Sequence, residues 1–193
     1  MLADRQPVTV RGLAQAVGTS TMAVYTYFDG IPGLWRAVRQ EGFNRLAARL
    51  ALVPDTPDPV HDLAALSAAY AASALTDPAL YRTMFDAAAD LEQPAVADAS
   101  FSALIAGATR ARAGGRFAPA TDPFAVATRV WASGHGLLML VVTGVLPPDV
   151  VAQHAPATAQ ALFVAAGDDE DRCRRSVAAG WASISVPSPP ASG

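Results

Sequence analysis

Hydrophobic positions along this chain return every three or four residues, and no run alternates apolar with polar for more than a few positions. The pattern predicts helices throughout and no sheet. The first two helices are short. Thr9 stands where a side-chain oxygen can accept an unpaired N–H group of a helix start; Val10, Leu13, Ala14 and Val17 then form one apolar face, and Gly18 ends the helix at little steric cost. Ser20 caps a second helix that carries Ala23, Val24 and Phe28 inward and leaves Thr21, Met22, Tyr25, Thr26 and Tyr27 outward. Residues 29–33 (DGIPG) read as a turn, with Pro32 suited to the first position of the next helix. That helix, residues 34–52, spaces Leu34, Val38, Leu46 and Leu50 in multiples of four. Three prolines in residues 53–59 then mark a connection, since proline interrupts helical hydrogen bonding.

The body beyond that connection is also helical. Residues 60–75 place Leu63, Leu66, Tyr70 and Ala74 on one face, Asp77-Pro78 opens a short helix holding Leu80, Tyr81, Met84 and Phe85, and Pro94 opens another through about residue 113 with Val96, Phe101, Leu104 and Ile105. After a loop at 114–123, residues 124–146 carry two adjoining apolar stripes: Val126, Val130, Gly134, Leu137, Val141 and Val145, and Trp131, His135, Leu138 and Val142. A helix apolar over most of its circumference must be covered on two sides. Two coverings fit: the protein's own body on one side and a partner subunit on the other, or the centre of a monomer. Gly134 and Gly136 would admit a close neighbour. Pro156 is expected to interrupt the next helix, Gly167 to end it, and the acids of residues 168–171 to form a solvated start for a last helix carrying Arg172, Arg174, Arg175, Val177, Trp181 and Ile184.

Two short helices joined by a glycine-containing turn are the layout of a helix-turn-helix, whose second helix enters the DNA major groove. The residues that build it here are Thr9, Leu13-Ala14, Gly18, Ser20, Tyr25 and Tyr27-Phe28, with Leu34 on the helix that follows. They resemble the DNA-binding segment of the tetracycline-repressor (TetR) family. The arrangement from Trp131 to His135-Gly136 is similar to a carboxyl-terminal regulatory domain of some TetR-type proteins. The resemblance implies an all-α fold: a helix-turn-helix domain at residues 1–36, a helical-bundle domain for ligand binding and dimerisation at 37–186, and a disordered tail at 187–193. It implies a transcriptional regulator, most simply a repressor, working in the cytoplasm as a homodimer through the 124–146 helix and the C-terminal helices. Its target would be double-stranded DNA, a palindromic operator with reading helices ~34–36 Å apart. Thr21, Met22 and Thr26 would read base edges from the helix that Ser20 caps. Thr9, Arg11, Thr19, Tyr25 and Tyr27 would hold phosphates or flank the groove, and Arg11 also suits the O6 and N7 acceptors of guanine. An unidentified small, apolar effector would enter the body among Tyr70, Tyr81, Met84, Phe85, Phe101, Trp131 and His135 and weaken DNA binding.

The chain departs from the family in two places. TetR-type domains set a further helix before the pair, whereas residues 1–7 are too short for one; either the start lies further upstream, which is the expectation here, or the reading head is incomplete. Many members carry a Lys near position 31 that meets a phosphate; Ile31 stands here, and Tyr27 stands where His is commoner.

Charge sharpens this picture. The net charge of −3 divides into +3 over residues 1–53, six Arg against three acids, and −6 over the remainder, eight Arg against fourteen acids. A basic head on an acidic body suits a DNA reader joined to a domain that does not touch DNA. The single Cys173 excludes an intrachain disulfide, no signal peptide is expected from the polar and charged first residues, and no uninterrupted apolar run of some twenty residues is present. No catalytic constellation, glycine-rich phosphate loop, cofactor motif or paired metal spacing occurs, so neither an enzyme nor a metal or cofactor site is expected. His135 reads as a hydrogen-bonded core histidine, a polar anchor in a ligand cavity or a pH-sensitive interface group. Cys173 lies between Arg172 and Arg174, which would lower a thiol pKa. Two rivals to the regulator stand: a helical ligand-binding or enzymatic domain with a merely structural helix pair, and a dimeric interaction protein that has lost DNA binding.

Overall fold

The computed structural model describes residues 8–85, 91, 93 and 95–187, and these form nine helices and no strand. They are α1 (Val10–Val17), α2 (Thr21–Phe28), α3 (Ile31–Ala51), α4 (Pro59–Thr76), α5 (Pro78–Met84), α6 (Ala95–Ala113), α7 (Pro123–Val142), α8 (Asp149–Ala165) and α9 (Glu170–Ala182). The all-α fold follows the sequence pattern. The expectations for residues 1–7, for Pro94 as a helix opener and for most of the tail lie outside the described residues.

Local chemistry sets most of the helix starts. Asp58, Asp77 and Asp122 each cap a helix whose first turn begins with proline, so the dipeptide Asp-Pro opens α4, α5 and α7. The side chain satisfies a free N–H group, and the proline lacks the N–H that would otherwise go unpaired. Three boundaries differ from the pattern. The turn before α3 is only Asp29 and Gly30, at φ 53° and 88°, so residues 31–33 already belong to the helix. At the other end of the body, α7 stops at Val142; Gly144, at φ 81°, turns the chain, and residues 143–146 are not helical. α8 runs unbroken through Pro156, because the Ala152 carbonyl that loses its donor lies on an exposed side.

At the centre of the body is α4 rather than α7. It contributes to all three apolar clusters: with α6, α7, α8 and α9 around Leu63 and Phe163, with α7 and α8 around Leu138 and Val151, and with α3 around Leu46 and Met84. Its many alanines give a weak apolar signal in the sequence, yet they allow neighbours to close in from every side. The tightest approach is α9, where a Cβ on Gly180 would sit 2.2 Å from the His61 carbonyl oxygen. By contrast, α7 buries Val126, Ala127, Val130, Leu138 and Val141 and leaves an outer line through Thr128, Ala132, Gly136 and Leu140 exposed. Gly134 and Gly136 meet nothing within 4 Å inside the chain. By length and composition α7 qualifies as a membrane span, although no single apolar run in it is long; here it packs on α6, α8 and α4.

A polar clasp ties the 52–58 connection to the body. Buried Arg116 donates to Asp168 at 2.9 and 2.6 Å and pairs with Asp58, while Ser176 donates to Asp58 at 2.5 Å. Arg110 pairs with Asp55 and Asp62, and Thr56 donates to Asp62 at 2.6 Å. The solvated role expected for residues 168–171 therefore holds for Asp169, which caps α9, but not for Asp168, whose side chain is fully enclosed by Arg116 and Arg172. Burial works to raise the pKa of Asp58 and Asp168. The hydrogen bonds and charges around them, Ser176 at Asp58 and Arg116 at Asp168 foremost, win and hold both below the ordinary carboxylate value.

A candidate nucleic-acid interface and a body cavity

The head is built by two caps. Thr9 Oγ1 accepts from the Gly12 N–H and Ser20 Oγ from the Ala23 N–H, both at 3.1 Å, and Gly18 closes α1 in the left-handed conformation. Ala14 and Val24 seal the contact between the helices, and α2 rests in turn on α3. Val17, expected on the buried face of α1, is 65% exposed; the inward side of that helix ends at Ala14. All nine residues expected at DNA, namely Thr9, Arg11, Thr19, Ser20, Thr21, Met22, Tyr25, Thr26 and Tyr27, lie at the surface. Met22 and Tyr27 are 70% and 79% exposed. The Thr26 hydroxyl donates to the Met22 carbonyl at 2.9 Å and so spends its hydrogen inside the helix. Ile31 is half-buried at the start of α3.

The body encloses an apolar cavity of about 210 Å³. Its walls come from α4, α6, α7 and α8, with Leu50 of α3 and Trp181 of α9 closing it. No lining residue is charged; Ser67, Tyr70, Ser100, Ser133 and Thr158 are the hydroxyl-bearing ones. Of the seven residues expected around an effector, Tyr70 and Trp131 line this cavity. Tyr81 and His135 stand behind Tyr70: its hydroxyl lies 2.9 Å from that of Tyr81 and 3.1 Å from His135 Nδ1, and Tyr81 reaches the same nitrogen at 2.8 Å. The Trp131 indole donates to the Tyr70 hydroxyl at 3.3 Å. Phe85 packs on His135 with ring centres 4.4 Å apart, and Phe101 on Trp131 at 5.8 Å. Met84 belongs to the core under α3 and does not line the cavity. His135 is thus a hydrogen-bonded core histidine, one of whose two partners, Tyr70, forms part of the cavity wall, and burial lowers its pKa. Burial also pushes Tyr70 up to about 12. The wall on α8 (Val151, Ala155, Thr158, Leu162) escaped the sequence reading, since three- and four-residue spacing there marks one helix face without saying that the face borders a void.

Two other candidates resolve plainly. Cys173 is fully buried; burial, reinforced by Asp168, raises its thiol to about 12, so the flanking arginines do not activate it. A wider polar cleft beside the clasp is lined by Arg110, Arg116, Arg172 and Arg175, of which the first three are already paired with carboxylates. Among the described residues, no group of three acidic, histidine or cysteine side chains is placed to hold a metal.

Comparison with known proteins places this architecture. The family model described as "Tetracyclin repressor-like, C-terminal domain" matches residues 63–166. A protein of unknown function from Rhodococcus sp. RHA1 shares 26% identity at a TM-score of 0.69, over 83% of this chain and 86% of that one. The TetR family transcriptional regulator PfmR from Thermus thermophilus aligns at a TM-score of 0.67 with 20% identity, over 81% and 88% of the two chains. RolR, in a structure without ligand, aligns at 0.62 with 17% identity, over 97% and 90%. The likenesses to PfmR and RolR are of fold. No curated protein sequence matches the chain.

Proposed function

The chain belongs to the TetR family of transcriptional regulators, and from that premise we propose that it is a cytoplasmic repressor. It grips a palindromic operator as a homodimer and releases it when an uncharged, largely apolar small molecule fills the body cavity. The observation that carries the reading is the outward face of α2, where every side chain expected at the groove is exposed to solvent. In this reading residues 1–36 recognise DNA, residues 37–186 bind ligand and pair the subunits, and α3 joins the two functions by crossing that boundary as one continuous helix. The outer line of α7, with the C-terminal helices, supplies the dimer contact.

The cavity supports the effector side of the proposal. An unpaired charge is costly to bury, so walls without a charged group select a neutral ligand. Leu50 borders the cavity near the end of α3, whose opposite end carries the α2 contact. A ligand that displaces Leu50 therefore tilts the head, and a differential affinity of ~1–3 kcal/mol between the two arrangements suffices for a useful switch. One observation favours a rival, a ligand-binding or dimeric protein that no longer binds DNA: Ile31 provides no cation where many relatives have one. A gel shift with DNA from upstream of the gene, using the full chain and a version extended upstream, separates the two. A shifted complex supports the repressor; no shift with either protein favours the rival.

A further inference from the structure

We infer, building on the DNA-binding reading above, that this head recognises its operator chiefly through thymine methyl groups, with Met22 as the residue that selects them. The argument starts from what α2 lacks. Its eight residues, TMAVYTYF, include no Arg, Lys, Asn, Gln, Asp or Glu. Those are the side chains that pair bidentately or by strong single bonds with guanine, adenine and cytosine edges in the major groove. The hydroxyls of α2 that face outward near its start offer little more. Ser20, the cap, accepts from the Ala23 N–H but keeps its own hydrogen, Thr26 donates its hydrogen to the Met22 carbonyl, and single hydroxyls such as these and Thr21 bond any base edge without a bidentate pattern.

What the turn does present is Met22, 70% exposed, next to the Thr21 side chain. The start of a recognition helix is the part that reaches base edges. The only apolar feature a base pair shows in the major groove is the thymine C5-methyl group. A thioether on a flexible, unbranched side chain moulds itself to such a group. Placed against any other base edge, Met22 would strip water from a polar acceptor or amine and return nothing. The partner is therefore a half-site with thymine facing the first turn of α2, and Met22 is the specificity-determining residue there.

The experiment is a selection of the full chain against a random duplex library, followed by gel shifts on the winning operator. Each thymine is replaced in turn by deoxyuridine, which removes the methyl and leaves the hydrogen-bonding edge intact. Loss of one buried methyl corresponds to about a fourfold weakening, and about fifteenfold when both half-sites are changed. We expect one thymine per half-site to show that drop, and Met22→Ala, which shortens a side chain 70% exposed, to bind both duplexes with equal affinity. A duplex with 5-methylcytosine at that position should bind better than one with cytosine. An enriched operator whose affinity ignores every thymine methyl, or a Met22→Ala protein that keeps the full methyl dependence, overturns this inference alone. Failure to enrich any duplex overturns the DNA-binding reading and this inference with it.

Discussion

Arg116 shows how much a single side chain holds in this molecule. It joins Asp58 at the start of α4 to Asp168 before α9, residues more than a hundred positions apart, with Asp168 fully enclosed and Asp58 on the side of the polar cleft. Removing Asp168 leaves Arg116 with Asp58 as its remaining counter-charge, so the cost falls below the ~3–5 kcal/mol of a fully uncompensated buried charge. Asp168→Asn should still lower the urea midpoint at pH 7. The acid limb adds a second readout. Asp58, Asp62 and Asp168 are each held below the ordinary value of 3.8, so their stabilisation is in full force above that value. It is lost as pH falls through their lower folded values. His135, held below 6.5 by burial, acts with the same sign just under that pH, since the folded state resists its charging. Urea midpoints measured from pH 8 downward should show a shallow loss below 6.5 and a steep one in the acid range, the steep one reduced in Asp168→Asn. An unchanged acid limb in that variant would remove Asp168 from the account. Cys173 gives a simpler check: with its thiol raised to about 12, a thiol reagent at pH 8 should react only on the timescale of unfolding.

For the helices, short-range chemistry and long-range packing part company. The head was legible because its signals span three or four residues: Thr9 and Ser20 cap, Gly18 stops, and the outward set on α2 follows from helical spacing alone. Asp-Pro starts are equally local. The central place of α4 was not legible, because alanine contributes little apolar area and its value lies in how near α9 can come. Nor was the cavity: its walls come from six helices, and of the residues expected there only Tyr70 and Trp131 line it, while Tyr81, Phe85, Phe101 and His135 back or flank that wall. The head also carries a prediction of its own. On α1 and α2, Arg11 is the one charged residue, and it is exposed. Each phosphate neutralised steepens the dependence of log K on log salt by about 0.9. Arg11→Ala in a dimer should flatten that slope by about 2 if Arg11 serves phosphates. A loss of affinity confined to one guanine-bearing position would assign it to a base instead.

On the scale of the whole molecule, the open question is what covers the outer line of α7, and the glycines there make the answer measurable. Thr128, Ala132, Gly136 and Leu140 succeed one another at four-residue intervals on the exposed side, so a second helix packed on them would cross along one continuous ridge. Inside the chain nothing lies within 4 Å of a Cβ placed on Gly136. A large side chain there costs the monomer no packing and gains helix propensity over glycine, whereas a partner helix lying on the same spot would be driven away. Gly136→Arg should thus leave the thermal midpoint of dilute, monomeric protein unchanged or slightly raised while halving the mass seen by light scattering at concentrations where the natural sequence is dimeric. Because two heads joined by one interface bind an operator at high effective concentration, the same variant should lose operator affinity by far more than any single change in the head. A Gly136→Arg protein that stays dimeric and holds DNA as before would place the interface elsewhere on the body and remove α7 from the path between the two reading helices.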